Sequence, residues 1–244
     1  MITIAHLYYD LLNLYGESGN VKALKTALEN AGIDVTVKLV TTDDTLNFSE
    51  YDFVYIGTGT EENQMLALNH LIKYKEDIKK SVNNGNFFLA TGNAMELFGK
   101  YIINQEGKKI KTLQVFPYTT KWEKFRMVDE VLAHTDLIST PVLGFQNQFG
   151  VIKDSKFPIF NMKRGIGSYP NSKTEGYHQY NFFGTYFIGP LLIRNPELLQ
   201  YLCKELCKNK QIKLKNKDFK LNLETKAHEH FLKNYYPDEI KLHK

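Results

Sequence analysis

The sequence predicts an α/β protein: a mostly parallel central sheet flanked by helices, with extra antiparallel strands in the second half. Three observations predict it. Short apolar runs alternate with helical patterns from Ile2 to Ala90. Such βαβ repetition builds a parallel sheet with helices on its faces. Most of these elements end in Gly or Asn-Gly. From Tyr101 to Ile193 the pattern changes to aromatic and β-branched runs broken by Gly, Pro and Asn, which suggests strands and hairpins packed on or extending the sheet.

The elements follow in order. Ile2 to Leu7 reads as a strand. Asn20 is placed to cap a helix carrying Val21, Leu24, Ala27, Leu28 and Ala31 at helical spacing, ended by Gly32. Val35, Val37 and Leu39 alternate as a second strand. Phe53 to Ile56 is a short buried strand stopped by Gly57-Thr58-Gly59-Thr60. One long helix with Met65, Leu68, Leu71 and Ile72 on a single face runs up to Asn84-Gly85, and Phe87 to Ala90 is a fourth strand. Asn195 as N-cap and Pro196 in the first turn open a helix to Lys208. A short helix around Thr225 to Leu232 is expected in the tail. The division predicted is a main domain over residues 1–207 and a Lys-rich, partly helical extension over 208–244.

Composition narrows the classes. The 244 residues are 43% hydrophobic and 24% charged, close to the usual globular balance, which excludes wholesale disorder. A net charge of +4, spread along the chain, argues against a nucleic-acid face. The most apolar stretch, Phe182 to Ile193, is too short to span a membrane, and Met1 to Ile4 carry no basic lead into an apolar run, so no signal peptide is expected. Cys203 and Cys207 are the two cysteines; four residues apart on a helix, they read as small buried residues, not as a disulfide or zinc pair. The absence of a disulfide framework points to the cytoplasm.

Ligands of open parallel sheets bind outside the carboxyl ends of the strands. Two such ends stand out: Gly57 to Thr60, and Ala90-Thr91-Gly92-Asn93. The second has the strand, sharp turn, helix layout of a nucleophile elbow, and N–H groups of both segments are candidates for stabilising an oxyanion. Ordinary turn chemistry explains the same glycines.

At these residues the chain resembles a family. Leu12 to Asn20 (Leu-Asn-Leu-Tyr-Gly-Glu-Ser-Gly-Asn), Asp52 to Gln64, Leu89 to Ile102, Val142 to Asn147, Glu175-Gly176 and Gly184 to Pro190 resemble the GatD-type glutaminase subunits in the CobB/CobQ-like branch of the class I glutamine amidotransferases. The resemblance implies an α/β sandwich, a Mur-ligase-like (MurT-type) partner, no cofactor and no metal. It makes Gly57-Thr58-Gly59 an oxyanion loop and Arg126 a substrate-contacting residue.

Family members attack glutamine with a Cys activated by a His, releasing ammonia for the partner. Here the Cys position is Thr91 and the His position is Ile188. The family's Cys-Gly-Gly-Tyr-Gln reads Thr91-Gly92-Asn93-Ala94-Met95, and its Glu-Asn-His-Gly-Gly reads Gln146-Asn147-Gln148-Phe149-Gly150. A Thr hydroxyl needs a proton acceptor, and Ile188 is none. A general base contributes about 10²- to 10⁴-fold in rate. The expectation is a catalytically silent subunit whose Gly57, Gly59, Gly92 and Arg126 are vestiges of a substrate site. Thr91 and Ile188 should lie together at the carboxyl edge, in a pocket made more apolar by Ile188, Ala94, Met95 and Phe149. Two alternatives stay open: an active glutaminase or other amide hydrolase with unusual residues, and a small-molecule sensor.

The remaining candidates have plain readings. His178 is read as a hairpin or surface residue, not a displaced base. His6 is read as a hydrogen-bonded core or loop residue. Glu61 and Glu62, rather than holding a cation, favour the dipole of a helix start. Asp43-Asp44 is a solvated loop, and Tyr177 to Phe187 is sheet core.

Overall fold

A computed structural model describes residues 1–214 and 219–238; of the expected Lys-rich extension, residues 215–218 and 239–244 lie outside the described residues. The first half builds β1 (Ile2–Leu7), α1 (Ser18–Asn30), β2 (Val35–Val40), β3 (Phe53–Ile56), α2 (Glu61–Leu71), α3 (Lys75–Asn83) and β4 (Phe87–Thr91). Then come β5 (Tyr101–Ile103), β6 (Lys109–Lys111), β7 (Thr120–His134), β8 (Val142–Ile152), β9 (Phe160–Arg164) and β10 (Thr174–Glu175). Finally β11 (Tyr177–Gln179) and β12 (Phe182–Thr185) precede α4 (Leu191–Arg194), α5 (Pro196–Asn209) and α6 (Asn222–Tyr235).

The central sheet has the order β11-β12-β4-β3-β1-β2. Every neighbouring pair in it is parallel except β11–β12. Its two faces bury separate apolar layers. Ile2, Ile4 and Phe53 meet α1 and α5 on one side, while Ala5, Leu7 and Val54 meet α2 and α3 on the other. Phe53, Phe87 and Phe183 stack across three adjacent strands at 6.4 Å spacing. The second sheet, β10-β9-β7-β5-β6, carries β8 on β7.

Four local expectations need correction. The long helix after Thr60 is two helices joined by a 3₁₀ turn at Ile72–Tyr74. The bend leaves Ile72 exposed and turns Ile78 and Val82 into the core. Asn20 is not a cap, because the helix starts two residues earlier and Asn13 Oδ1 accepts the Ser18 N–H at 2.7 Å. The Asn20 carboxamide instead donates to the Tyr55 hydroxyl and accepts the Leu192 N–H, each at 2.8 Å. Asn195 is the N-cap residue of α5 as expected, but its carboxamide reaches across to both the N–H and C=O of Leu143 instead of bonding the first turn. The tail helix is longer than expected. The strands of the second half are not uniformly short: β7 has 15 residues and β8 has 11. Their register slips between Trp122 and Met127, so no single alternation spans them.

Helix α6 lies on this hairpin, with Leu232 against Leu132 and Leu143. Its His228 ring bonds the Arg194 carbonyl at 2.7 Å. No helix among the described residues is long and apolar enough to cross a membrane.

Candidate functional site

The chain runs outward from β1 to β2 and returns to β3 on the other side of β1, so the sheet's topological switch lies between β1 and β3. Their carboxyl ends, with that of β4, frame a cleft of about 120 Å³. Thr58, Gly59, Glu61 and Asn93 form one wall, and Arg126, Trp122 and Phe149 of the β7–β8 hairpin form the other.

Thr91 ends β4 beside Thr185 of β12 and is fully buried. Its hydroxyl donates to Glu17 Oε2 and lies 2.8 Å from the Tyr55 hydroxyl. Tyr55 in turn donates to Glu17 Oε2 at 2.7 Å. The other carboxylate oxygen of Glu17 accepts the Gly189 N–H at 2.9 Å. Burial pushes the Glu17 carboxyl above its usual range, and the bonds from Thr91, Tyr55 and Gly189 pull against it.

Gly92 follows with φ +60, a left-handed turn that favours glycine. A Cβ there would overlap the Thr58 side chain and stand 3.1 Å from Ile188 Cγ2. Thr91 and Ile188 thus flank Gly92 beneath the cleft, and neither lines it. Ile188 is held by its backbone: its N–H donates to the Phe145 carbonyl at 2.9 Å.

The Gly57 loop splits into two roles. A Cβ at Gly57 would overlap the Leu12 carbonyl, so this glycine serves close backbone packing and does not line the cleft. Gly59 does line it, but its peptide group is taken. Asn93 Oδ1 accepts the Gly59 N–H at 3.1 Å, and Asn93 Nδ2 donates to the Gly59 carbonyl at 2.9 Å. Thr58 Oγ1 donates to Asn93 Oδ1 at 3.0 Å and accepts the Asn93 N–H at 3.3 Å. Of the N–H groups in the two segments expected to stabilise an oxyanion, those of Gly59 and Asn93 are bonded within the protein.

On the opposite wall Arg126 Nη2 pairs with Glu61 Oε1 at 2.7 Å, and Nη1 donates to Asn147 Oδ1 at 3.2 Å. Its guanidinium sits 4.9 Å from the Phe149 ring. Glu61 therefore does more than complement a helix dipole. Asn147 Nδ2 donates to the Tyr15 hydroxyl at 2.6 Å, with Tyr15 itself at φ +61.

Behind the cleft Glu96 is buried and accepts from Trp122 Nε1 (2.9 Å), Gln64 Nε2 (2.9 Å) and the Tyr186 hydroxyl (3.0 Å). Burial raises its pKa to about 7. The expected apolar filling is corrected here. Ala94, Met95 and Ile188 belong to the core away from the cleft, and only Phe149 of the four residues reaches it. The elbow turns their side chains inward, so the wall is mostly polar.

His178 lies on the outer strand β11, stacked 4.3 Å from Phe183 and bonded to the Phe182 carbonyl. His6 is buried as expected, but its Nε2 lacks the hydrogen bond expected of it, and burial lowers its pKa to about 4. Burial also raises both cysteine pKa values, which keeps the thiols protonated. Among the described residues no group of three or more His, Cys, Asp or Glu could hold a metal ion. Sequence reasoning missed Glu17, Tyr55, Gln64, Glu96 and Trp122 as site residues. Glu17, Tyr55, Gln64 and Glu96 stood inside motifs, but nothing local signals that Glu17, Gln64 and Glu96 are buried.

Comparison with known proteins follows the same lines. The CobB/CobQ-like glutamine amidotransferase domain matches residues 3–196. Subunit GatD of the glutamine-hydrolyzing lipid II isoglutaminyl synthase from Streptococcus pneumoniae is 32% identical over 212 residues, 86% of this chain and 82% of that protein. The same subunit from Staphylococcus aureus is 29% identical over 226 residues, 93% of each. A glutamine amidotransferase structure from Thermotoga maritima superposes with a TM-score of 0.53 at 12% identity, covering 99% of this chain and 97% of that one, and shares the fold.

Proposed function

The chain belongs to the CobB/CobQ-like glutamine amidotransferase family, and on that premise we propose a subunit without glutamine hydrolysis. It acts as structural or regulatory partner of a Mur-ligase-like enzyme in cell-wall precursor amidation. That the relatives are subunits of a lipid II isoglutaminyl synthase supports a partnered role, and the Mur-ligase-like character of the partner rests on the family resemblance. The proposed setting is the cytoplasm, in keeping with two buried, unpaired cysteines. Residues 1–207 would be the amidotransferase-like unit and 208–244 its extension.

One observation carries the silence. The side chain at the nucleophile position, Thr91, is fully buried, faces Glu17 and Tyr55, and does not line the cleft. A substrate carbonyl in the cleft has no path to that hydroxyl. The residue at the base position, Ile188, takes no proton.

The runner-up, an amide hydrolase with unusual residues, draws on Glu17, whose carboxylate accepts a hydrogen bond from the Thr91 hydroxyl and so stands where a base would. Ammonia release from glutamine, with and without the Mur-ligase-like partner, separates the two. The expected result is none above background. Turnover abolished by Thr91→Ala would establish the hydrolase.

A further inference from the structure

We propose that the cleft is closed to glutamine by two of the protein's own side chains, the Asn93 carboxamide on the Gly59 loop and the Glu61 carboxylate on Arg126. The proposal rests on reading this cleft as a former glutaminase site, and it concerns binding, not turnover.

Glutamine offers a carboxamide at one end and a carboxylate with an ammonium at the other. A site for it needs N–H donors for the amide oxygen and a cation for the carboxylate. The cleft has both, and the protein fills both. The Gly59 peptide pairs twice with Asn93, N–H to Oδ1 and C=O to Nδ2, as it would with a bound primary amide. The Thr58 hydroxyl adds a third bond to the same Asn93 oxygen. Arg126, the cation among the lining residues, carries Glu61 at 2.7 Å. The two mimics come from different elements, the elbow after β4 and the first turn of α2, and enter from the same wall.

A glutamine molecule would have to displace both side chains, and each displaced group would then need a new partner. Asn93 and Glu61 are therefore specificity-determining residues of the cleft. They act by occupying it.

The test uses L-glutamine and the fluorescence of Trp122, the single tryptophan, which lines the cleft. Calorimetry on the full chain supplies the affinity. The double variant Asn93→Gly with Glu61→Ala should bind glutamine at least about tenfold more tightly than the parent, with the single variants between. Glu61→Gln leaves the elbow untouched and serves if the double variant does not fold; it should gain about threefold, since a partly exposed ion pair is modest. A folded double variant without gain, a Glu61→Gln chain without gain, or a parent that binds as tightly would each overturn the closure. Ammonia release by the double variant, with the parent inert, would support the closure and overturn only the silence of Thr91.

Discussion

The Thr91 hydroxyl donates to the carboxylate of Glu17, a residue 74 positions earlier in the chain. The same carboxylate holds the Gly189 N–H, next to Ile188. One buried acid thus joins Thr91 to the turn that carries Ile188, the two positions that the sequence resemblance assigns to the family's Cys and His.

Restoring only that pair should fail. Thr91→Cys with Ile188→His places a thiol against Glu17 and Tyr55 rather than in the cleft. The Gly59 and Asn93 N–H groups remain bonded to their present partners. Ammonia release should stay at background. Efficient turnover in the double mutant would show that the cleft is intact and that the divergence is confined to two residues.

Glu17 should be worth far more to the fold than its charge suggests. Glu17→Ala strands the Gly189 N–H and leaves the Tyr55 and Thr91 hydroxyls only each other as acceptors, so one O–H loses its partner, and it should cost about 3 kcal/mol of unfolding free energy. Glu17→Gln keeps an acceptor for Gly189 and an amide for the rotatable hydroxyls, and should stay within about 1 kcal/mol. Urea denaturation of the two variants measures the difference.

Glu175 sets a pH signature. It accepts the Thr185 hydroxyl at 2.6 Å and the Tyr186 N–H at 2.7 Å, and burial raises its pKa from 4.5 to about 7. Between these values the folded chain holds a proton that the unfolded chain has lost, so this group's contribution to stability falls as pH rises. Glu96 acts in the same sense, while His6, lowered to about 4, acts oppositely below its ordinary value of 6.5. Glu175→Gln removes one term. Its stability relative to the parent should rise by on the order of 3 kcal/mol from about pH 4.5 to pH 7 and then level off. Thermal melts across that range are the check, and a flat difference would contradict the assignment.

Helix α6 covers a small apolar patch. Leu232→Ala should cost about 2 kcal/mol. Ending the chain at residue 210 should uncover Leu132 and Leu143 while the central sheet persists. Dye binding should then increase, and the far-ultraviolet circular dichroism should lose only the helical signal of α6.

Much of the central sheet was legible from residues alone. The strands at Ile2, Phe53 and Phe87 are short apolar runs closed by turn residues, and they fall where expected, β4 ending one residue later. Asn20 misled, and Asn195 holds its cap position without a side-chain bond to the first turn, because each carboxamide found a tertiary partner. The β7–β8 register slip erased its own periodicity. At the site, motif positions located Thr91, Ile188 and Arg126. The partners Glu17 and Glu96 were invisible, since whether a glutamate is buried depends on chain segments far away in sequence.

The Phe145–Ile188 bridge ties the second sheet to the turn after β12 through main-chain atoms alone. Any side chain at 188 would be carried on the same rail. A position anchored this way can exchange its side chain without moving its scaffold. On the proposed reading, reactivity at 188 is lost while the surfaces around the turn keep their shape.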